Sequence, residues 1–584
     1  MMNCKFTPLA KSLTPFLLFI FILSTIEFHC SEDKKDKDFV LRIRLADEPD
    51  CLHPVVSQSS LATQIEVLIM PPLFEFSPNK LEFSPILVKS MVDPVIVNDS
   101  TVSYTYELQE NAVWEDGQPL TVDDIIYTIK STLNPCIRNK TYAGFFKNIR
   151  DVKSTSSNNK TVTFLINKNY MQGQEMSGNY CIYPEHIYDP NSVLRKFSLQ
   201  DLMHKDSANW SAEEWNNLKS YGSEYQSQKF CKEKIVGCGP YKLLTWQSGS
   251  KIILEKKKNW WGDSLVSKYP LLISKPDRIE YWIMPEEASA LLELKNGNID
   301  IISELTPKVF EELKDKDSDK LNFATPTLMQ YMYIDINHRN PVLSNLKVRM
   351  ALSHLINVDQ FIKEQYNGLA LRINSPVHPS KSYYNSSIES IKYDPLKATQ
   401  LLKEDGWKDT NGDGSLDKKI NGKTQELAFR FYLTNKETSK KFGLLLQEEC
   451  KKVGIKIDLI PKEAASLMND LNELNFDLVL IAQRQSPSLW DPFQMYSSSN
   501  TKAGGFNKSG YATSKSDSII ASIRNAGTEN ERNKLYLEFQ KILHDEVVQI
   551  YLFSPLERIV YSKRINLVES SRRPGYYEGM ITRK

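Results

Sequence analysis

The sequence has little excess charge and few of the residue patterns that build catalytic, metal or cofactor centres. Its 73 Lys and Arg against 72 Asp and Glu leave a formal net charge of +1, which gives no electrostatic preference for a polyanion such as nucleic acid. The eight histidines are dispersed and lack the short spacings of zinc sites. No P-loop, dinucleotide fingerprint or nucleophile elbow is present. We therefore predict a protein that is not an enzyme and has no resident metal, no cofactor and no nucleic-acid partner.

Long apolar runs are also scarce, and the run at residues 16–23 is too short for a comfortable membrane span. Two lysines precede it, and Cys30 and a polar run follow it, which is typical of an export signal. The arrangement resembles a bacterial lipoprotein signal, with a signal peptide at 1–30, lipidation at Cys30 and a linker at 31–38. This predicts an envelope protein that is lipid-anchored in the periplasm of a Gram-negative bacterium or exposed at its surface. A soluble cleaved form and an uncleaved anchor remain alternatives.

Cysteine is sparse in the rest of the chain. In an oxidising compartment some cysteines can pair, and Cys231 and Cys238 are near enough in sequence to close a small loop. Many pairings are compatible with the sequence, as is a set of buried thiols. The cysteines concerned are Cys51, Cys136, Cys181, Cys231, Cys238 and Cys450.

The stretch at residues 114–127, WEDGQPLTVDDIIY, is the most informative part of the chain. Asp116 and Gly117 form a turn signal, because glycine tolerates positive φ and aspartate hydrogen-bonds within its own turn. Thr121 followed by Asp124 is a capping box, and apolar residues then recur at helical spacing. The pattern predicts a strand, a tight turn and a capped helix.

This stretch also resembles the signature of the family 5 extracellular solute-binding proteins, the peptide- and nickel-binding receptors of ABC importers. Similar motifs recur from Val40 to about Ile565, so the resemblance covers nearly the whole mature chain. It implies an α/β, periplasmic binding protein-like fold of the class II, cluster C type, with two α/β lobes around a cleft and an extra domain. The other motifs lie at residues 48–54, 182–187, 237–241, 258–262, 296–300 and 348–351.

The resemblance implies a discontinuous first lobe. Its apolar segment at 549–553 is expected to pair back with the N-terminal strand. Alternating β-α-β patterns after residue 427 independently favour a mixed or parallel sheet. The segment at 188–230 is too long for a plain loop, so we expect local helices there, but no role. The predicted domains are a first lobe at 39–70, 236–302 and 545–584, an extra domain at 71–235, and a second lobe at 303–544.

The segment at residues 409–417, DTNGDGSLD, resembles a calcium loop, with oxygen donors at alternate positions. An EF-hand needs a bidentate glutamate at its twelfth position, where this chain has Ile420. A second flanking helix is also missing from the pattern. We predict a solvated turn, with a calcium site as the alternative.

The residues after the predicted strand at 476–481 should reach the carboxyl end of the sheet, where ligands bind in open α/β folds. The resemblance implies an acidic residue, three positions before the pair Asp491 and Pro492, that anchors a peptide's ammonium group. Ser488 stands there instead. Arg484 and Gln485 offer donors suited to a carboxylate or carbonyl. The peptide interpretation then needs Asp491, Glu48 or another carboxylate to replace the missing acid.

Further ligand contacts are predicted from position alone. Gln58 and Ser59 follow an early turn that the resemblance brings to the cleft. Trp490 is equally compatible with stacking on a ligand and with packing beneath its turn. The full predicted ligand set is Gln58, Ser59, Tyr331, Arg372, Arg484, Gln485, Ser488, Trp490 and Asp491.

The function implied by the resemblance is that of a monomeric substrate-binding protein of an ABC importer. It would close its lobes on an oligopeptide or peptide-like solute and deliver it to a membrane permease powered by an ATPase. Two alternatives remain open. One is a binding protein for a non-peptide solute such as a nickel chelate, haem or sugar, and the other is a peptide-sensing receptor without transport.

Overall fold

The computed structural model describes residues 38–57, 59–78, 82–137, 141–420 and 422–584. The predicted signal peptide, Cys30 and Gln58 lie outside the described residues. Within the described ranges, no helix is both long and apolar enough to span a membrane.

The chain starts the first lobe and then enters the segment predicted as the extra domain, residues 71–235. Strand β1 (Val40–Leu45) and helix α1 (Ser60–Ile69) belong to the first lobe. The strands of the extra domain are β2 (Phe74–Phe76), β3 (Phe83–Pro85), β4 (Val95–Asn98), β5 (Thr101–Glu107), β6 (Ile149–Ser154) and β7 (Thr161–Asn167). Its helices are α2 (Val122–Leu133), α3 (Thr141–Phe146), α4 (Gly173–Met176), α5 (Glu185–Tyr188), α6 (Leu199–His204) and α7 (Ala212–Tyr225). Helices α6 and α7 confirm the local helices expected at 188–230.

Helix α2 begins where the capping box predicted it. The Thr121 N–H donates to the Asp124 carboxylate at 2.8 Å, and Asp124 also accepts the Glu185 N–H at 2.9 Å. Burial raises the pKa of Asp124. The apolar stripe that includes Val122 and Ile125 is fully buried in the main core of the first lobe and the extra domain. The apolar residues of the stretch at 114–127 therefore form part of the hydrophobic core that the extra domain shares with the first lobe.

The chain returns to the first lobe after residue 240. The added strands are β8 (Tyr241–Gln247), β9 (Lys251–Lys256), β10 (Arg278–Ile283), β11 (Ile301–Ile302) and β12 (Leu321–Ala324). The added helices are α8 (Glu287–Lys295) and α9 (Pro307–Asp317).

The second lobe follows. Its strands are β13 (Gln330–Ile336), β14 (Ala370–Arg372), β15 (Asp417–Ile420), β16 (Lys423–Glu426), β17 (Ala428–Thr434), β18 (Lys456–Lys462), β19 (Leu478–Arg484) and β20 (Gln549–Pro555). Its helices are α10 (Leu346–His354), α11 (Val358–Tyr366), α12 (Pro395–Glu404), α13 (Glu437–Lys452), α14 (Ala464–Asn472), α15 (Phe493–Tyr496), α16 (Ser514–Asn525) and α17 (Glu529–Asp545). The chain ends in the first lobe with β21 (Ile559–Ser562), β22 (Ile565–Asn566) and β23 (Thr582–Arg583).

Each lobe is built on a mixed sheet. The first has seven strands in the order β12-β21-β11-β1-β10-β9-β8, with β1 parallel to β10 and β11. The second has six strands in the order β14-β20-β13-β19-β17-β18, with β17 parallel to β18 and β19. The extra domain adds a four-stranded sheet, β4-β5-β7-β6. This is the predicted α/β architecture.

Two strands differ from the predicted assignment. Strand β20 pairs with β13 and β14 in the second sheet, so the prediction that residues 549–553 pair with the N-terminal strand is wrong. Nearly every residue of β20 is buried, which fits a strand with a neighbour on each side. Strand β12 pairs with β21 in the first sheet, although the second lobe was predicted to begin at 303. The exact domain boundaries stay a prediction.

The cysteines also differ from the simplest expectation. Cys51 forms a disulfide with Cys231, and Cys238 is a buried free thiol, so the structure has a different pairing from the Cys231–Cys238 loop that the sequence left open. Cys238 lies in a turn that packs closely against the end of α1. A Cβ added at Gly237 would approach the Ile69 carbonyl oxygen to 1.9 Å, which explains the glycine. The disulfide ties the turn after β1 to the end of the extra domain.

The segment at 409–417 folds on itself. The Asp409 carboxylate accepts the N–H groups of Gly412 at 2.7 Å and Gly414 at 3.0 Å. Both glycines have positive φ, as such a turn requires. In the described ranges, no three His, Cys, Asp or Glu residues are grouped so as to hold a metal ion.

Candidate functional site

Two short chain segments connect the lobes. One joins β12 to β13 through residues 325–329, and the other joins β20 to β21 through residues 556–558. They are paired to each other by an isolated bridge between Thr327 and Leu556. A pair of short adjacent crossings is the arrangement expected of a hinge, because a few backbone torsions there can move one lobe against the other.

The loop at residues 485–491 leaves the carboxyl end of β19, a central strand of the second sheet. Its first residue, Gln485, is fully engaged by the protein. The Gln485 N–H donates to the Met329 carbonyl at 2.8 Å. Its side-chain amide accepts the His378 N–H at 2.7 Å and donates to the Pro376 carbonyl. The predicted ligand donor Gln485 therefore holds the neighbouring loop in place.

Lys381 holds the middle of the same loop. Its ammonium group donates to the carbonyl oxygens of Ser486 at 2.6 Å, Pro487 at 2.7 Å and Ser488. The residue is only 5% exposed. Burial lowers the pKa of Lys381 to about 8, and the nearby Glu175 carboxylate opposes that shift. The loop is thus fixed by a buried cation.

Ser486 and Ser488 meet a carboxylate from the extra domain. The Ser486 hydroxyl donates to Glu175 Oε1 at 2.8 Å, and the Ser488 hydroxyl donates to Glu175 Oε2. Glu175 lies in α4, on the far side of the cleft from the loop. It keeps partial solvent exposure, although burial among its neighbours raises its pKa. This contact joins the two sides of the cleft at the position where the sequence lacks an acid.

Asp491 closes the loop in a different way. Its side chain is 1% exposed, and its Oδ2 lies 3.2 Å from Nη2 of Arg524. The other oxygen accepts the Phe493 N–H at 3.1 Å. Burial raises the pKa of Asp491, and Arg524 opposes that shift. Asp491 is therefore half of a buried ion pair within the second lobe.

Trp490 packs within the second lobe. Its ring lies 5.8 Å from that of Tyr536 and 5.9 Å from that of Tyr496. Its main-chain N–H donates to the Tyr383 hydroxyl at 3.0 Å, and its carbonyl accepts the Tyr536 hydroxyl. These contacts match the packing alternative for Trp490.

Arg484 lies where β19 ends, and its side chain is exposed. Burial of part of the side chain and the charge of Arg573 lower its pKa, while Glu304 raises it. Arg573 and Glu304 belong to the first lobe. Arg573 also donates to the Gln330 side chain of the second lobe at 3.3 Å. Arg573 is ion-paired with Glu304, whereas Arg484 forms no ion pair within the described residues.

The remaining predicted residues are engaged elsewhere. Arg372 lines a small cavity whose lining residues all belong to the second lobe. Tyr331 is fully buried against Tyr333 and Tyr551. The Ser59 hydroxyl accepts the Leu61 N–H at 3.2 Å and caps α1.

Glu48, considered above as a replacement acid, is already bound by other residues of the protein. Its carboxylate accepts the Trp246 indole N–H at 2.7 Å and the Gly249 N–H at 2.9 Å, and Lys232 lies 3.4 Å away. It therefore fixes the turn after β1 to the β8–β9 hairpin.

Sequence reasoning missed Glu175 and Lys381. Glu175 lies in a polar stretch between β7 and α5 that has no distinctive motif. Lys381 follows a proline-rich loop and looks like an ordinary surface lysine. Neither the charge of these residues nor their spacing indicates that they meet at residues 486–488.

Comparison with known proteins identifies the family. The model for bacterial extracellular solute-binding proteins, family 5 (middle region), matches residues 82–507, more than half of the chain. The chain belongs to this family, which is one of binding proteins. The oligopeptide-binding protein AppA of Bacillus subtilis is 24% identical over 503 residues, spanning 85% of this chain and 83% of the relative.

Solved structures share the fold. The structure of AppA from Bacillus subtilis in complex with a nonapeptide matches with a TM-score of 0.71 and 21% identity, covering 93% of this chain and 99% of that one. NikZ from Campylobacter jejuni in complex with Ni(L-His) matches with a TM-score of 0.68 and 22% identity, covering 92% and 97%. The predicted periplasmic binding protein-like fold is therefore confirmed.

Proposed function

We propose that this protein is the substrate-binding protein of an ABC importer and that its cargo is a short peptide or peptide-like solute. The observation that carries the cargo class is the exposed guanidinium of Arg484 at the end of β19, which forms no ion pair within the described residues. Arg573, by contrast, is already paired with Glu304. A guanidinium without a carboxylate partner is available to an anion. A carboxylate matches the planar fork of arginine, so the carboxyl terminus of a peptide fits this place.

Capture follows from closure of the lobes about the paired crossings. In an open form the solute reaches the loop at 485–491, and closure brings Arg573 and the extra domain against it. Water in the cleft accommodates varied side chains, while the charged groups hold the ends of the ligand. The closed monomer then docks on a membrane permease, and an ATPase powers transport. The similarity to an oligopeptide-binding protein, and to a structure of such a protein with a bound nonapeptide, supports the capture of a peptide.

The export signal supports an envelope location. We infer that the mature protein is tethered through a lipidated Cys30 and works outside the cytoplasm. Metabolic labelling with a clickable fatty acid should tag the wild-type chain and leave C30A untagged. An untagged wild-type chain that is released from cells would contradict the anchor.

Native mass spectrometry of protein purified without denaturation tests the cargo. A ladder of masses that fragment as short peptides is the expected result. A single non-peptide mass, such as a nickel–histidine chelate, would replace the peptide proposal with the non-peptide alternative. Protein that carries no cargo and takes up nothing from a pool of di- to pentapeptides would contradict the proposal. Peptide uptake that is unchanged in a deletion strain would favour a sensor.

The variant R484M tests the role of Arg484. It should weaken binding of a peptide with a free carboxyl terminus by about 10-fold, because a charge-assisted hydrogen bond contributes about 1.5–3 kcal/mol. Binding of the same peptide as its C-terminal amide should change little. The control R150M removes an exposed arginine from the edge strand β6 of the extra domain and should leave both affinities intact. Equal weakening of both peptides by R484M would contradict this role for Arg484.

A further inference from the structure

We propose that Glu175 binds a primary ammonium group of the ligand, namely the free amino terminus of the peptide, and so sets a requirement for an unblocked amine. The proposal rests on the proposed function and adds a residue from the opposite side of the cleft to it. It makes the extra domain part of the binding site.

The local hydrogen bonding leaves Glu175 able to accept more donors. Each carboxylate oxygen receives one hydroxyl hydrogen, from Ser486 or from Ser488. The Gln172 side-chain amide also donates to Glu175 Oε2, at 3.5 Å. A carboxylate has about four lone-pair sites in all, so one remains for a ligand. The two hydroxyl oxygens lie beside it, 3.0 Å apart, and can accept as well. An ammonium group with three N–H donors matches this cluster of acceptors.

The charge balance also calls for a cation. Glu175 forms no ion pair with any Lys, Arg or His of the described residues. The charge of Lys381 lowers its pKa, and the charge of Glu75 raises it. Lys381 directs its hydrogens to three carbonyl oxygens of the loop. Glu75 adds negative charge, and Arg572 lies 3.5 Å from it as its own partner. A carboxylate removed from water without a cation is costly, and a ligand-borne cation removes that cost.

The other candidate acids around the cleft already have partners. Asp491 is ion-paired with Arg524, and Glu48 is held by Trp246, Gly249 and Lys232. Glu175 differs from both because, within the described residues, only neutral groups donate to it, namely two serine hydroxyls and the Gln172 side-chain amide. It also retains partial exposure, as a group that lines a cleft must.

The position of Glu175 couples recognition to closure. The carboxylate comes from the extra domain, and the two serines come from the second lobe. An ammonium group at this point contacts both sides at once. It therefore stabilises the closed form more than the open form, which is the differential affinity that a closing receptor needs.

The test compares two defined pools of di- to pentapeptides, one with free amino termini and one N-acetylated, bound to the full chain and read by native mass spectrometry. Wild type should prefer the free-amine pool by roughly 10- to 100-fold, as expected for loss of a charged hydrogen bond. E175Q keeps an acceptor for the serines and should reduce this preference to near unity. S488A removes one hydroxyl of this acceptor cluster but keeps the carboxylate, so it should lower the preference less than E175Q does. The double variant E175Q/S488D returns a carboxylate from the other side and should restore it.

Each other outcome is decisive. If E175Q keeps the preference, or if wild type takes up both pools equally, the role of Glu175 is overturned while peptide binding stands. If E175Q weakens both pools equally, Glu175 acts in lobe closure and the proposal fails. If wild type takes up neither pool, peptide binding itself fails, and the proposal falls with it.

Discussion

Two carboxylates flank the same loop from opposite sides of the cleft, and their surroundings differ. Asp491, within the second lobe, is almost inaccessible and pairs with Arg524. Glu175, from the extra domain, is partly exposed and, within the described residues, receives only neutral donors: the hydroxyls of Ser486 and Ser488 and the side-chain amide of Gln172. An acid with a built-in cation maintains structure, whereas an acid without one is available to a ligand. The following three predictions test this contrast.

The largest effect is expected at the paired acid. D491N leaves the Arg524 guanidinium without its counter-ion in a largely buried place, and breaking a buried ion pair costs about 3–5 kcal/mol. Urea unfolding of the second lobe should show a loss of that size. The double variant D491N/R524M removes both charges and should recover much of it. Equal losses in D491N and in the double variant would mean that the pair contributes packing alone.

A smaller effect is expected at Lys381, the cation beneath the loop. Its pKa of about 8 in the folded protein lies below the unfolded value of about 10.4, so the folded state binds fewer protons between these pH values. The free energy of unfolding of wild type, relative to K381M, should therefore rise from pH 8 to pH 10 by about 1–3 kcal/mol. Parallel denaturant titrations at four pH values measure this. A flat difference would show that the carbonyl acceptors keep Lys381 fully charged.

The smallest effect on stability is expected at Glu175. E175Q should change the free energy of unfolding by no more than about 1 kcal/mol near pH 7, because an amide still accepts the serine hydroxyls and avoids the desolvation of a charge. Because burial raises the pKa of Glu175, the folded state holds its proton to higher pH. Wild type should thus lose stability relative to E175Q as pH rises from about 4.3, the unfolded value, through the folded pKa. Destabilisation by E175Q as large as that by D491N would remove the contrast.

Local patterns predicted much of the fold. The capping box at Thr121 and Asp124 begins α2, and the apolar run at 476–481 falls in or beside β19. These features depend on residues a few positions apart, so they can be read from spacing. The assignment of β20 to the second sheet and the pairing of Cys51 with Cys231 involve partners far away in sequence. The sequence of β20 is compatible with pairing in either sheet, and Cys51 could pair with more than one other cysteine.

The candidate site was predictable only in part. The resemblance led to the loop at 485–491 and to the missing acid at Ser488, and Arg484 lies exposed there. Gln485, Trp490 and Asp491 instead make contacts within the protein, because the polar groups of a buried loop must find partners. These contacts cannot be predicted from the sequence, because the partner groups lie on elements that are distant along the chain.

The sequence by itself determined the family, the α/β class and the loop that faces the cleft, since these follow from contiguous motifs and local periodicity. Only the tertiary structure decided which acid meets that loop. Glu175 and Ser488 are separated by more than 300 residues. Their contact depends on how the extra domain closes against the second lobe, and hydroxyl and carboxylate groups carry no sequence pattern that specifies such a partner.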